Sequence, residues 1–292
     1  MKPSRAQDER EGPQVGGRDR GQDAGLGPDR DRGQDPGPGP DRNQGRSREH
    51  GQEQYVRELF DRLARHYDWA NRVISLTRTG RWRRLAADRS GFRPGDQVLD
   101  VGCGTGLFSR ELARVVGPTG RVVGLDLAPA MLSRARENLR RRPPRAEVRF
   151  VEGSALALPF ADESFDGVAT AFVLHTLPDL ERALAEMVRV LRPGGRLVTL
   201  EMARPRVPVL KQGFSLLLTR LMPLGGRVLG RLRLGPPGFL AYFARSLLDM
   251  PDQHALRHIF QRFGLVETRL HEFDGGLAAV LVGIKPQTGA DV

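Results

Sequence analysis

The hydrophobic residues of this chain are distributed unevenly, and their spacing predicts where the chain folds. Residues 1–51 contain almost no apolar side chains, are rich in Gly, Pro, Asp, Arg and Gln, and include two nearly identical copies of a short polar repeat. Such a segment cannot bury enough surface to offset its ordering entropy, so we expect a disordered tail. From residue 52 onward, apolar residues recur at helical spacing, which predicts an amphipathic helix at the start of the folded part.

Beyond residue 90, short apolar runs alternate with amphipathic helical patterns. This alternation predicts an α/β fold, in which parallel strands form a sheet and helices cover its faces. The pattern places strands at residues 98–100, 121–125, 147–151 and 167–172, and a fifth after a turn at Pro193-Gly194-Gly195. Helices are predicted to begin at residues 107, 129 and 180, and the last of them to end at residue 191.

The densest chemical signal is the sequence VLDVGCGTG at residues 98–106, where a buried strand ends at Asp100 and a helix follows the turn. Gly102, Gly104 and Gly106 let the backbone approach a ligand closely, and the helix N-terminus offers unpaired N–H groups. The next strand ends at Asp126, whose carboxylate can accept hydrogen bonds from both hydroxyls of a ribose. The unit is therefore predicted to bind a nucleoside.

The spacing of the glycines distinguishes two classes of nucleoside site. Dinucleotide-binding folds use G-x-G-x-x-G, whereas this loop reads G-C-G-T-G after a strand that ends in a carboxylate. In this it resembles the first motif of class I S-adenosylmethionine-dependent methyltransferases. The resemblance implies S-adenosylmethionine (SAM) as cofactor, a contact from Asp100 to the charged amine of its methionine moiety, and further cofactor contacts from Thr105 and Leu127.

A more specific resemblance extends over residues 52–286. The N-terminal signature of the ubiquinone/menaquinone-biosynthesis C-methyltransferases is similar to Tyr67-Asp68, Asn71, Ser75, Gly80 and Arg81-Trp82-Arg83. The resemblance implies a Rossmann-like sheet of seven strands, with a helical cap at residues 52–90 and a helical insertion between strands five and six. It also implies that Tyr67, Asn71 and Tyr242 line a quinone pocket. Trp82 is interpreted as a core residue.

Residues 152–168 resemble the stretch that surrounds adenine in this family. Ser154 stands where the family usually has an acid or an amide. Its hydroxyl can bond the adenine amino group, although one neutral hydrogen bond contributes only about 0.5–1.5 kcal/mol. Ala155 is expected to offer its backbone N–H to the cofactor.

His175 is the candidate catalytic residue. It follows the fourth strand, and ligands of open α/β sheets bind outside the carboxyl ends of the strands. The family commonly has an Arg-Asn pair at this point, and this chain has His175-Thr176. Because histidine titrates near neutrality, His175 is either a general base or a buried histidine satisfied by a neighbour.

The insertion at residues 202–250 is apolar and basic, with no acidic residue from 202 to 248. Residues 209–229 have the composition of a helix that lies on an anionic membrane surface. The alternatives are a lid over a lipophilic substrate and a packed helix pair with a solvated basic face. Residues 264–273 and 276–285 resemble the antiparallel strand pair that completes the sheet, and residues 287–292 are expected to fray.

The charge, the aromatic content and the cysteine count of the chain indicate which ligands and partners to expect. The net charge of +11 raises the question of nucleic acid, but only 6% of the residues are aromatic and could stack on bases, so nucleic acid is disfavoured. The single cysteine, Cys103, excludes a disulfide framework and a cysteine-based metal site, and we expect no metal. Without a signal core or an apolar span, we expect a cytoplasmic protein at the inner face of the membrane. The sequence does not define an oligomeric state.

The predicted function is C-methylation of a demethylmenaquinol or a related polyprenyl quinol, as the family resemblance implies. One alternative is a methyltransferase for another lipid or small metabolite, such as a phospholipid amine. The others are an RNA-binding or RNA-modifying protein and a cofactor-binding regulator without turnover.

Overall fold

The computed structural model describes residues 42–63, 78–231 and 238–287. The strands are β1 (Gln97–Val101), β2 (Arg121–Asp126), β3 (Glu147–Glu152), β4 (Phe165–Ala171), β5 (Leu191–Met202), β6 (Val266–Phe273) and β7 (Ala278–Ile284). The helices are α1 (Arg42–Leu63), α2 (Thr79–Arg89), α3 (Leu107–Val116), α4 (Pro129–Arg141), α5 (Leu180–Arg189), α6 (Pro208–Leu216), α7 (Met222–Arg231), α8 (Phe239–Asp249) and α9 (Gln253–Arg262). A π-helical turn, Leu217–Leu221, joins α6 to α7.

The strands form one seven-stranded sheet in the order β3-β2-β1-β4-β5-β7-β6. β1 to β5 are parallel, and β7 runs antiparallel to both β5 and β6. The predicted fold class and the predicted C-terminal strand pair are confirmed. The direction of winding reverses between β1 and β4, so the crevice beyond their carboxyl ends is where this topology places a ligand.

The sheet is buried on both faces. Successive residues of a strand point to opposite faces, and Leu99 and Val101 accordingly join the cluster that includes α5 and α9. Val98 joins the opposite cluster, which includes α2 and α3. A smaller apolar cluster lies at the carboxyl ends of the strands, where Leu59 of α1 meets Met131 of α4 and Phe239 of α8. Helices α1 and α8 therefore cover the end of the sheet at which the crevice opens.

The N-terminal boundary and the fifth strand differ from the prediction. α1 begins at Arg42, earlier than the predicted start of order at residue 52. In residues 42–51 the Arg, Gln and Glu residues, which favour a helix, outnumber the two glycines, which disfavour it. The prediction that the turn at residues 193–195 opens β5 is wrong. β5 begins at Leu191 opposite Phe165, and regular pairing resumes at Arg196 opposite Gly167. The Pro-Gly-Gly turn is thus an irregularity inside β5, and α5 consequently ends at Arg189.

Trp82 is a core residue, as predicted, since 2% of its surface is exposed. Its Nε1 donates a hydrogen bond to Oδ2 of Asp274 at 2.6 Å. Asp274 lies in the turn between β6 and β7, so this bond ties α2 to the far end of the sheet. No helix in the described part of the chain is both long and apolar enough to cross a membrane.

Candidate active site

The loop between β1 and α3 holds two glycines at the crevice. Gly102 has φ +67°, and a Cβ there would lie 2.5 Å from Cγ2 of Val173, which excludes any other residue. Gly104 has φ +53°, and a Cβ there would meet no protein atom within 4 Å. Since Gly104 lines the cavity described below, that Cβ would occupy space available to a ligand.

Asp126 follows the loop at the carboxyl end of β2. Its Oδ2 accepts a hydrogen bond from the backbone N–H of Gly104 at 2.8 Å, and its Oδ1 accepts one from Ala128 at 2.9 Å. Burial raises the pKa of Asp126 to about 6, against the lowering effect of these two bonds. Each carboxylate oxygen accepts more than one hydrogen bond, so Asp126 retains the capacity to bind a ribose diol.

A cavity of about 670 Å³, including the part open to solvent, lies beyond the carboxyl ends of β1, β2 and β4. It is lined by Glu53, Val56, Phe60, Gly102, Gly104, Leu125, Asp126, Leu127, Met131, Gly153, Ala155, Phe172, Val173, Thr176, Leu177 and Pro178. Of the residues predicted to bind the cofactor, five line this cavity: Gly102, Gly104, Asp126, Leu127 and Ala155.

Asp100 lies behind the glycine loop and is not among the lining residues. Its Oδ2 accepts a hydrogen bond from the hydroxyl of Ser109 at 2.6 Å, and its Oδ1 has no hydrogen-bond partner in the described part of the chain. Burial raises the pKa of Asp100 to about 7, although the Ser109 bond and the nearby charge of Arg83 act to lower it. Thr105 is also buried, and Gly106 packs toward α4. The predicted contact from Asp100 to the methionine amine stays a prediction.

Ser154 is engaged by another side chain. Its hydroxyl donates a hydrogen bond to Oε1 of Glu53 and accepts one from the backbone N–H of Leu156 at 3.0 Å. Glu53 belongs to α1 and lines the cavity, so a carboxylate stands beside the position at which the family usually has an acid or an amide. Nothing in the local sequence around Ser154 indicates this partner.

His175 lies beside a second cavity, which it lines with Tyr242. Its Nδ1 is 3.0 Å from Oε2 of Glu201, and its ring packs edge to face against Phe243. The other carboxylate oxygen of Glu201 accepts the backbone N–H groups of Val173 and Leu174, at 2.8 Å each. Glu201 therefore holds both the imidazole and the turn that carries it.

The Nε2 atom of His175 is buried and has no hydrogen-bond partner among the described residues. A base oriented by a carboxylate and carrying a free ring nitrogen is the arrangement that general-base catalysis uses. Glu201 was not predicted as a site residue. It could have been found, because it is an acid near the carboxyl end of an apolar strand.

Tyr67 and Asn71 lie outside the described residues. Cys103 is buried, and that burial raises the pKa of its thiol well above the usual range, so it is not poised as a nucleophile. The described residues contain no group of three or more His, Cys, Asp or Glu side chains that could hold a metal ion.

The cavity fits SAM. The open space at Gly104 suits close backbone approach, Asp126 suits a ribose, and Oδ1 of Asp100 is a buried acceptor without a hydrogen-bond partner among the described residues. The sheet order, the glycine loop and the acid that ends β2 define a class I SAM-dependent methyltransferase.

The chain belongs to the ubiE/COQ5 methyltransferase family, whose family model matches residues 48–285. Over 80% of its length it is 40% identical to a demethylmenaquinone methyltransferase of Desulfitobacterium hafniense, covering 90% of that protein. A demethylmenaquinone methyltransferase of Shouchella clausii is 36% identical, with 98% of its length covered.

Solved structures agree on the fold. A SAM-dependent methyltransferase from Aquifex aeolicus superposes with a TM-score of 0.51 at 20% identity, over 69% of this chain and 88% of that one. Another, from Thermotoga maritima, gives a TM-score of 0.52 at 19% identity, over 76% and 98% of the two chains.

Proposed function

We propose that this enzyme methylates a ring carbon of a reduced demethylmenaquinone or a closely related polyprenyl quinol. The observation that carries the proposal is the similarity to two proteins named demethylmenaquinone methyltransferase, at 40% and 36% identity over 80% of this chain. The family model, which matches residues 48–285, includes every residue that lines the two cavities. The apolar wall that Phe172, Val173 and Leu177 contribute to the cofactor cavity supports an aromatic acceptor.

The residues of the site perform three tasks in this proposal: they hold the cofactor, exclude water from the acceptor ring and remove a proton from the acceptor. SAM, when bound, supplies a methyl group on a positively charged sulfur, which is already a strong electrophile. The glycine loop and Asp126 hold the nucleoside, and alignment of this kind contributes about 7–11 kcal/mol in favourable cases. The apolar wall excludes water from the ring.

His175 serves as the general base. Nε2 accepts the proton of the quinol hydroxyl, which makes the ring carbon more nucleophilic. As the carbon–carbon bond forms, S-adenosylhomocysteine leaves; the ring carbon then loses its proton, the imidazolium returns its proton to the ring oxygen, and one proton in total is released to solvent. Glu201 accepts a hydrogen bond from Nδ1–H and stabilises the imidazolium. Because Nε2 is buried, the substrate hydroxyl reaches it only when the side chains packed around the imidazole, among them Phe243 of α8, move.

A membrane surface as the source of the substrate is supported by the outer face of α6, the π-helical turn and α7. We call this the insertion face, and its large apolar residues are exposed: Val209, Leu210, Leu216, Leu217, Leu221 and Leu224. On the other side of the same run, Leu218 and Met222 are buried against α8. Lys211, Arg220 and Arg227 supply positive charge without any acidic residue in this run, the pattern of an interfacial helix on anionic lipid.

The acceptor is tested by presenting alternatives side by side. Purified full-length protein, labelled SAM and vesicles that contain demethylmenaquinol, the oxidised quinone or phosphatidylethanolamine are compared by product mass. We expect methylation of the quinol alone, because the oxidised ring is electron-poor and has no hydroxyl to deprotonate. Transfer to the phospholipid, or to none of the three with SAM binding intact, contradicts the proposed acceptor.

A further inference from the structure

Glu53 brings a carboxylate into the cofactor cavity from outside the sheet. It lies on α1, 101 positions before Ser154, and its Oε1 accepts the hydrogen bond of the Ser154 hydroxyl. Apart from Asp126, it is the only charged residue among those that the structure describes along the cavity wall. Oε2 of Glu53 makes no hydrogen bond to any residue in the described ranges.

The position of Glu53 is fixed by its own helix. Arg57, one turn further along α1, is 2.8 Å from Glu152 at the end of β3. Asp61 accepts the backbone N–H of Ala130 at 3.0 Å, in the first turn of α4. Leu59 is buried between these contacts. α1 is therefore docked on two elements of the nucleoside-binding unit, which places Glu53 over the end of β3.

The order of the strands determines which part of a nucleoside faces Glu53. The carboxyl ends of β1, β2 and β3 present Gly102, Asp126 and Gly153 in succession across the cavity. With the ribose on Asp126 and the charged methionine part toward the glycine loop, the base must extend toward the end of β3. Leu127, Met131 and Ala155 offer apolar contacts there, and Glu53 is the acceptor at that edge.

Ser154 and Glu53 have different roles in binding the base, because their hydrogen-bonding groups are occupied to different extents. The single donor of the Ser154 hydroxyl is used on Glu53, and the backbone N–H of Leu156 occupies one of its acceptor positions. A carboxylate accepts several hydrogen bonds and donates none. We propose that Glu53 is the specificity-determining residue for the base of the cofactor, accepting a hydrogen bond from the exocyclic amino group of adenine, and that Ser154 is its positioning residue.

This assignment couples cofactor binding to the position of α1, which covers the site. Val56 and Phe60 lie on the same helix and line the same cavity. A bound adenine therefore holds α1 in place, and α1 in turn covers the bound cofactor.

The test compares two ligands that differ at one group. S-adenosylhomocysteine carries the exocyclic amino group, and its deamino analogue, in which purine replaces adenine, carries a hydrogen atom in its place. Calorimetry with the full-length wild type is expected to show at least about tenfold tighter binding of the adenosyl ligand, the scale of a hydrogen bond to a charged group. The deamino analogue offers no donor at that position, and its N1 remains an acceptor as in adenine.

Glu53→Gln is the diagnostic variant, because a neutral amide oxygen accepts a weaker hydrogen bond than a carboxylate does. We expect the preference for the adenosyl ligand to fall about tenfold, mainly through weaker binding of S-adenosylhomocysteine. Ser154→Ala is expected to reduce the preference less. Glu58→Gln, an exposed acid on the same helix, serves as the control and should leave both affinities unchanged.

Two results overturn the assignment. Glu53→Gln could change both affinities by the same factor, which would indicate a structural role for α1 only. Alternatively, Glu53→Ala could increase the affinity for the adenosyl ligand. That result would mean that the Glu53 side chain occupies the space of the adenine base and does not bind its amino group. Because both ligands are bound without an acceptor, these outcomes are independent of the proposed quinol.

Discussion

At the scale of single residues, Asp100 and Asp126 are carboxyls whose burial raises their pKa values to about 7 and about 6. The positive charge of SAM favours the ionised form of a nearby carboxylate, and ribose hydroxyls donate to an ionised Asp126, so we expect SAM binding to release protons where these groups are still protonated. We expect the affinity for SAM to fall as the pH is lowered from about 8 to about 5. Titration calorimetry at several pH values measures it. Asp100→Asn should weaken binding and flatten the upper part of this profile, and an unchanged profile contradicts the role of Asp100.

Without ligand, Asp100 affects stability in the opposite direction. Its folded pKa of about 7 lies above the unfolded value of 3.8, so the folded state binds the proton more tightly. Its contribution to the free energy of unfolding is therefore lost as the pH rises from about 4 to about 7. Asp100→Asn should be more stable than the wild type in urea at about pH 8 and gain nothing at about pH 4. Equal gains at both pH values would argue against a buried ionised Asp100.

His175 and Glu201 provide a third test at the scale of single residues. His175→Gln should lower kcat by about a hundred- to ten-thousand-fold, the usual range for a positioned base, and leave the Kd for SAM unchanged. Glu201→Gln should also lower kcat and alter its pH profile, because the amide no longer stabilises an imidazolium. Methyl transfer at several pH values measures both effects. If His175→Gln keeps the rate and pH profile of the wild type, His175 is only a packed histidine.

At the scale of elements, the insertion face yields a prediction about membranes. Replacing Leu221 and Leu224 with Ser removes two exposed apolar side chains, and we expect weaker co-sedimentation with anionic vesicles at unchanged SAM affinity. Val266→Ser is the matched control, because Val266 is equally an exposed apolar residue but lies on β6. Equal losses from both changes, or none, would remove the insertion face from membrane binding.

The elements themselves were largely predictable, because each is specified by local spacing. The short apolar runs and the helical patterns located the parallel strands and the helices between them, and the family resemblance of the runs around Asp274-Gly275 located the last strand pair. The interruption inside β5 was missed, since a Pro-Gly-Gly sequence usually ends regular structure, whereas here pairing with Phe165 continues the strand before the turn. That pairing is a tertiary contact that no local pattern contains.

At the scale of the whole molecule, the site is assembled from residues that are distant in sequence. The loop glycines and Asp126 were found because they occur in one compact βαβ unit. Glu53 with Ser154, and His175 with Glu201, are separated by 101 and 26 positions. The first pairing depends on how α1 docks and the second on the neighbouring positions of β4 and β5 in the sheet. Sequence spacing therefore predicted the glycine loop and Asp126, but it did not predict Glu53 or Glu201.

The most direct test of the account follows the hydrogen on the reacting ring carbon. Demethylmenaquinol deuterated at that carbon is incubated in vesicles with SAM and the full-length enzyme, and product and solvent are analysed by mass spectrometry. C-methylation predicts that each methyl group gained is matched by one deuterium lost from the ring. A methylated product that keeps its deuterium would show transfer to oxygen, and no methylated product with SAM bound would show that the acceptor is another molecule.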